Sequence, residues 1–390
     1  MRAFAIGIVA VAVVAGCRQA APKPSARTTV ADSVAAVVER FATKEKVAGL
    51  AVGVWHAGQV VYRGGFGTRG GGVGDQRVGP ETVFHMASVT KPFVATAVMQ
   101  LVGAGKVALD STVTHYLPYF TMKDPRARTI TVRQVLTHTA GIGDVTDYRW
   151  PTPEYDDGAL ERYVRGLADS TLIAPPGEKW AYSNIGFEVL ADLIAKVSGL
   201  SFEDYIQQRI LTPLGMRKST LLMTDIDSTL MAYGHTKDSG GGYRPVGYYP
   251  YNRRHAASST LHSNVDDMLR WGAANLGRGT LDGARVLAAS SYDELWRPQR
   301  DMLPELAERA RQAGVKLPFD SMAVGLSWFL PLRGRRQLVT HSGGDAGFRT
   351  DLVLVPAEQV AIVVLTNGDR TDPGALSTEL LRVLLAAGRP

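Results

Sequence analysis

One cysteine, Cys17, stands among 390 residues. No intramolecular disulfide can form, so the fold rests on packing and hydrogen bonding. None of the eight histidines falls in an H-x-x-x-H or H-x-H spacing, so neither a metal site nor any other cofactor is expected. G-x-S-x-G is missing too, which argues against the sharp strand-to-helix turn that presents a serine in that motif. Concentrated charge is lacking as well: Lys and Arg number 43 against 37 Asp and Glu, a net charge of +6. The densest basic run, RGRR at 333–336, lies between two apolar segments and reads as a charged hairpin tip. Charge so dispersed excludes a nucleic-acid partner and suits attraction to an anionic cell-envelope surface. There is no internal repeat.

What is present begins with the leader MRAFAIGIVAVAVVAGC. One early arginine, an apolar run too short to span a bilayer, and small residues before the cysteine form a secretory signal. The ending Val14-Ala15-Gly16-Cys17 resembles a bacterial lipoprotein signal, which implies lipidation of Cys17 and anchoring in the cell envelope. Arg18 in the next position, by the same resemblance, favours the outer membrane where two membranes exist. Residues 1–16 are then the signal, and 17–32 a flexible tether.

Hydrophobic periodicity predicts an amphipathic helix from Val30 to Phe41, then two strands around the turn His56-Ala57-Gly58. A literal G-x-G-x-x-G at Gly65–Gly70 reads as a loop, because GGVGDQRVGP cannot open the helix that the motif needs. Phe93, Val94, Ala97, Val98, Leu101 and Val102 recur at helical spacing, so apolar that the helix must be buried. Thr131 to Gln134 forms a capping box, Gly141 serves as the C-cap of the same helix, and His138 in its last turn stabilises carbonyl ends. Ser263 to Asp266 starts another capped helix. GLSWFLPL, QLVTHSG, FRTDLVLVP and VAIVVLTN read as strands, and a helix follows from Pro373 to Ala387. The class is therefore α+β: an antiparallel sheet flanked by N- and C-terminal helices, plus a mostly helical lobe. Within a domain at 33–388, the sheet lobe takes about 33–80 and 315–388, and the helical lobe about 81–314. A cleft belongs at the seam.

Three segments carry chemistry. FHMASVTKPF holds the chain's one S-x-x-K. Three residues apart on a helix, Ser88 and Lys91 are neighbours, and a proline at 92 is tolerated only in a first turn. A serine needs a base, and a lysine serves as one where burial or nearby positive charge disfavours its ammonium. APPGEKWAYSNIGFEVL holds the one Y-x-N: Tyr182 beside a lysine can shuttle protons, and Asn184 offers an amide donor. LVTHSGGDAGF puts His341, Ser342, Gly343 and Gly344 at the end of a strand, where glycines allow close backbone approach and an amide can join Ser88 N–H as an oxyanion hole. The Tyr/Arg-rich loop 239–255 with Tyr243, Tyr248, Tyr249 and Tyr251 is a surface loop with the potential to rim the cleft.

In this order the three elements resemble the serine hydrolases of the class C β-lactamase and penicillin-binding type. GKVALDSTVTHYLP, ITVRQVLTHTAGI and LTPLGMRKST are similar as well, and the resemblance spans about 33 to 385. It implies Ser88 as nucleophile, Lys91 as its base partner and Tyr182 as proton shuttle. Asn184 would contact the substrate, and the N–H groups of Ser88 and Gly344 would hold the oxyanion. The substrate would be a small molecule or a peptidoglycan-type peptide: an ester, an amide, a D-residue peptide or a β-lactam. Two departures stand out. His341-Ser342-Gly343 replaces the K-T-G of the β-lactamases proper, as among the family's esterases and peptidases, so a permanent cation gives way to a titratable ring. Ser259-Thr260-Leu261 replaces paired glycines before a leucine, altering the cleft wall. The alternatives are a DD-peptidase, a true β-lactamase, or a tethered ligand-binding module without turnover.

Overall fold

The computed structural model describes residues 29–70 and 76–387. Cys17 and its leader lie outside them. Helix α1 (Val30–Glu45) runs four residues past the predicted end, and its start is fixed by a capping box in which Thr29 and Asp32 bond reciprocally. Strands β1 (Gly49–His56) and β2 (Gln59–Gly67) form the predicted hairpin, with Ala57 and Gly58 both at positive φ. Gly65 and Gly67 therefore belong to a strand rather than to a loop. A Cβ at Gly67 would meet the Ala48 carbonyl at 2.2 Å. Close strand contact, not phosphate binding, explains these glycines.

The middle of the chain is largely helical. The helices that matter here are α2 (Lys91–Gly103), α3 (Val132–Leu136), α4 (Asn184–Ser198), the one-turn α5 (Ala256–Ser259) and α6 (Val265–Leu276). Helix α6 is capped by Asn264, whose side chain accepts from Asp267 N, one residue beyond the predicted cap at Ser263. Strands β3 (Arg300–Asp301), β4 (Ser321–Val324), β5 (Phe329–Arg333), β6 (Arg336–Gln337), β7 (Val339–Asp345), β8 (Phe348–Val355) and β9 (Val360–Thr366) follow, and α7 (Pro373–Ala387) closes the domain. Arg333 to Arg336 turn the β5–β6 hairpin, as predicted.

All nine strands join one antiparallel sheet in the order β2-β1-β9-β8-β7-β5-β4-β3, with β6 on β5. Odd-numbered β8 residues Val353 and Val355 and even-numbered β1 residues Leu50 to Val54 face α1 and α7, in an aliphatic layer with Phe41, Leu376 and Leu380. Leu352, Leu354, Val363 and Leu365 face the helical lobe. Each such side chain contributes roughly 1.5–3 kcal/mol on burial, so the two layers hold the sheet rigidly between them. One pairing positions the site. Strand β5 meets β7 only through Phe329 and Thr340. Residues 341–345 of β7 thus keep β8 on one edge and leave the other open toward the cleft.

Candidate active site

Ser88 lies in a 3-10 turn, Ala87–Thr90, that runs directly into α2, with Pro92 in the first turn as expected. The turn is held from three sides. Thr90 Oγ1 donates to Ala87 O at 2.7 Å, Leu261 N donates to Thr90 Oγ1 at 3.1 Å, and Thr350 Oγ1 of β8 donates to Met86 O at 3.0 Å. Ala87 sits at φ +48°, in the left-handed region that costs a Cβ-bearing residue about 1–2 kcal/mol. Lys91 is fully buried. Its Nζ donates to Ser88 Oγ at 3.1 Å and to the Ser258 carbonyl at 2.9 Å. Among the described residues no carboxylate forms an ion pair with it.

Tyr182 reaches the same place from the loop before α4. Lys91 Nζ is 5.0 Å from the centre of its ring, and the ring stacks on His138 at 4.4 Å. His138 is not in a helix. It follows the C-cap of α3 at φ +57°, and Gly141, at φ +73°, belongs to the loop beyond. Burial, with Lys91 adding to it, holds the imidazole of His138 well below its ordinary pKa. The neutral ring accepts from Ser183 N through Nδ1 at 3.1 Å. His138 is thus the bed on which Tyr182 rests, not a carbonyl cap. Asn184 has a partner that its motif does not show. It opens α4, and both its backbone N and its Nδ2 donate to Asp144 Oδ1, each at 2.9 Å. It does not line the cleft that Ser88 and Tyr182 share.

That cleft measures about 670 Å³. One wall is β7, with His341, Ser342, Gly343 and Gly344 all lining it. Gly343 is the tight point: a Cβ there would stand 2.4 Å from Met86 O and 3.0 Å from Ser88 N. Only a glycine lets β7 close on the serine turn, and that approach sets the next residue, Gly344, beside Ser88. His341 is buried, and burial pushes its ring down to about 3, with Lys91 adding to the effect. The neutral ring donates from Nδ1 to Ser342 O at 2.8 Å, which leaves Nε2 a buried acceptor without a partner. The titratable ring that replaces a permanent cation is therefore held neutral here. His341 supplies an acceptor, not a cation.

A protein-family profile described as Beta-lactamase matches residues 34–387. The chain belongs to the Beta-lactamase family. It is similar to Penicillin-binding protein 4 of Amycolatopsis lactamdurans, 31% identical over 89% of this chain and 88% of that protein. It is similar also to the D-alanyl-D-alanine-carboxypeptidase/endopeptidase AmpH of Escherichia coli K12, 26% identical over 86% of this chain and 84% of that protein. Among solved structures, the octameric penicillin-binding protein homologue from Pyrococcus abyssi superposes with a TM-score of 0.75 at 25% identity, covering 91% of this chain and 77% of that one. The α+β architecture read from the sequence is the fold of this family.

Other residues that hold the site of this Beta-lactamase family member are less visible in its sequence. Glu188 of α4, fully buried, accepts from Ala257 N at 3.0 Å and Ser258 N at 3.2 Å, so it fixes α5 and with it the carbonyl that Lys91 binds. Asp345, at the end of β7, accepts from buried His85 Nε2 at 2.8 Å and from Ser259 Oγ. The Ser259-Thr260-Leu261 departure thus ties α5 to the strand that carries Gly344. Glu188 had a signal, since it lies four residues after Asn184 in the buried part of a largely apolar helix. His85 and Asp345 are 260 residues apart and had none. The loop 239–255 does not line the cleft. Tyr249 packs with His85, His262 and Phe348, and Tyr251 is buried. Those tyrosines are core contacts rather than a substrate rim, because their rings cover the histidines beneath them.

Proposed function

We propose that the protein is a serine hydrolase that forms an acyl-enzyme on Ser88 and is anchored in the cell envelope through Cys17. The carrying observation is the bond from Lys91 Nζ to Ser88 Oγ inside a cleft that Tyr182 and Gly344 also line. Lys91 and Tyr182 take the serine proton as Oγ attacks the substrate carbonyl, and the oxyanion settles against the N–H groups of Ser88 and Gly344. Tyr182 then protonates the leaving group. In the second half the same pair activates water, which releases the acyl group and restores Ser88. Esters, amides and D-residue peptides fit this chemistry. The Cys17 anchor is supported by the leader ending Val14-Ala15-Gly16-Cys17. The carboxypeptidase relative favours a second reading, in which the substrate is a peptide ending in D-alanine.

A fluorophosphonate probe followed by intact-mass measurement tests the proposal. One adduct is expected, absent in Ser88→Ala. A wild-type chain that stays unlabelled overturns it. Release of D-alanine from a D-alanyl-D-alanine peptide as fast as turnover of the best ester would select the peptidase reading.

A further inference from the structure

Resting on the acyl-transfer reading above, the cleft also indicates which leaving group suits it. Strand β7 divides the cleft along its length. Its Gly344 end holds the oxyanion and pairs with Arg349 of β8, whose guanidinium donates to the carbonyls of Asp345 at 3.0 Å and Phe348 at 2.8 Å. Its Ser342 end pairs with Asp351. Tyr182 stands toward this second end: its ring stacks 6.5 Å from Phe329, and Phe329 pairs with Thr340, two residues before Ser342. The group that Tyr182 protonates therefore leaves past Ser342.

What waits there is negative. Asp351 lines the cleft yet is only 8% exposed, and among the described residues no cation forms an ion pair with its carboxylate. Ser377 of α7 adjoins it as a hydrogen-bonding neighbour that lowers the carboxyl's pKa, a neutral contact that supplies no counter-charge. Arg333 of β5, the cation nearest in effect, does not line the cleft and gives Nη1 to Thr378 Oγ1 at 3.1 Å; Arg349 does line it, but its Nη1 is engaged by the carbonyls of Asp345 and Phe348 at the Gly344 end. Asp372, at the mouth, caps α7: its Oδ1 accepts from Ala375 N at 3.0 Å. Burial pushes the Asp351 carboxyl up to about 6; Ser377 and Arg333 work against the rise and Asp372 adds to it. A buried carboxylate without a counter-charge is costly, and a cation brought by a ligand lowers that cost. Neutral His341 offers no positive charge at this end.

We propose that Asp351, with Asp372 at the rim, is a subsite for a positively charged leaving group: an ammonium carried on the alcohol or amine half of an ester or amide. A substrate whose leaving group bears a carboxylate, such as a peptide ending in a free D-residue, meets like charge there.

Three thioesters of the intact protein's choosing range test this: acetylthiocholine, its uncharged isostere 3,3-dimethylbutyl thioacetate, and S-acetyl-3-mercaptopropionate, all followed by thiol release. Acetylthiocholine is expected to exceed its isostere in kcat/KM by roughly tenfold at pH 8 and low salt. That ratio should shrink as pH falls through about 6, where Asp351 takes a proton. The anionic thioester should be the poorest. Asp351→Asn should bring the ratio close to one, and exposed Asp372→Asn should lower it by a smaller factor and decide the matter if the first variant does not fold. A wild-type ratio at or below one, with Ser88 still labelled by fluorophosphonate, overturns the subsite and leaves the hydrolase reading standing; an unlabelled Ser88 overturns that reading instead. If none of the three is turned over, slower labelling of Ser88 in the presence of choline supports the subsite, and unchanged labelling overturns it.

Discussion

The two faces of the central sheet bury charge in opposite ways. Toward the helical lobe, Lys91, Glu188 and Asp345 each sit in a set of close hydrogen bonds: to Ser88 and Ser258, to two backbone N–H groups, and to His85 and Ser259. Toward α1 and α7 the layer is aliphatic, and its buried carboxylate, Asp351, has no such set. Charges that are fully satisfied from within fix geometry, because moving any one of them strands the others. A charge without a counter-charge holds little in place and becomes useful when a ligand supplies one. Catalytic alignment and substrate choice are thereby assigned to opposite sides of one strand.

The satisfied face is the easier one to break. Glu188→Ala strands two buried N–H groups and is expected to cost about 3 kcal/mol in urea-induced unfolding. It should also lower kcat sharply, since the Ser258 carbonyl that holds Lys91 is no longer fixed. Stability lost with kcat preserved would separate α5 from catalysis. A tenfold fall in kcat, with KM nearly unchanged, is the expectation for Asp345→Asn, which weakens charge-assisted bonds to His85 and Ser259. Stopped-flow acylation by a chromogenic ester would register it, and an effect confined to KM would mean that Asp345 only shapes binding.

The smallest effect sharpens the contrast through pH. His341 titrates at about 3 in the fold against 6.5 when unfolded, and His138 and His262 are likewise held low by burial. As pH falls below 6.5 the unfolded chain takes up these protons first, so stability drops by up to about 1.4 kcal/mol per pH unit per histidine. Asp351 acts the other way. Its folded value of about 6 lies above 3.8, so between those values the folded state takes the proton first and gains stability on acidification. Unfolding midpoints from pH 7 to 4 should fall less steeply in His341→Gln and more steeply in Asp351→Asn. Parallel curves for all three proteins would contradict the assigned shifts.

Most of the fold could be read directly because its signals are local. Apolar runs mark the strands and the spacing after Lys91 marks α2, while Ser88, Lys91, Tyr182 and the β7 glycines sit in short motifs that meet in one cleft. Reading failed where a residue's partner is remote. His138 looked like the end of a helix, since nothing near it says that α3 stops at Leu136 and that Tyr182 will lie on its ring. Nothing near Asn184 says that Asp144, 40 residues earlier, takes one of its amide's donor bonds. The charge state of His341 depends on burial, which only the assembled cleft supplies.

Ala87 carries one further consequence. Its methyl group occupies a backbone shape that glycine would adopt freely, held by the three hydrogen bonds around the Ser88 turn. The three bonds outweigh the local cost of about 1–2 kcal/mol, so the nucleophile's aim is set by groups contributed from three separate stretches of chain rather than by the turn's own preference.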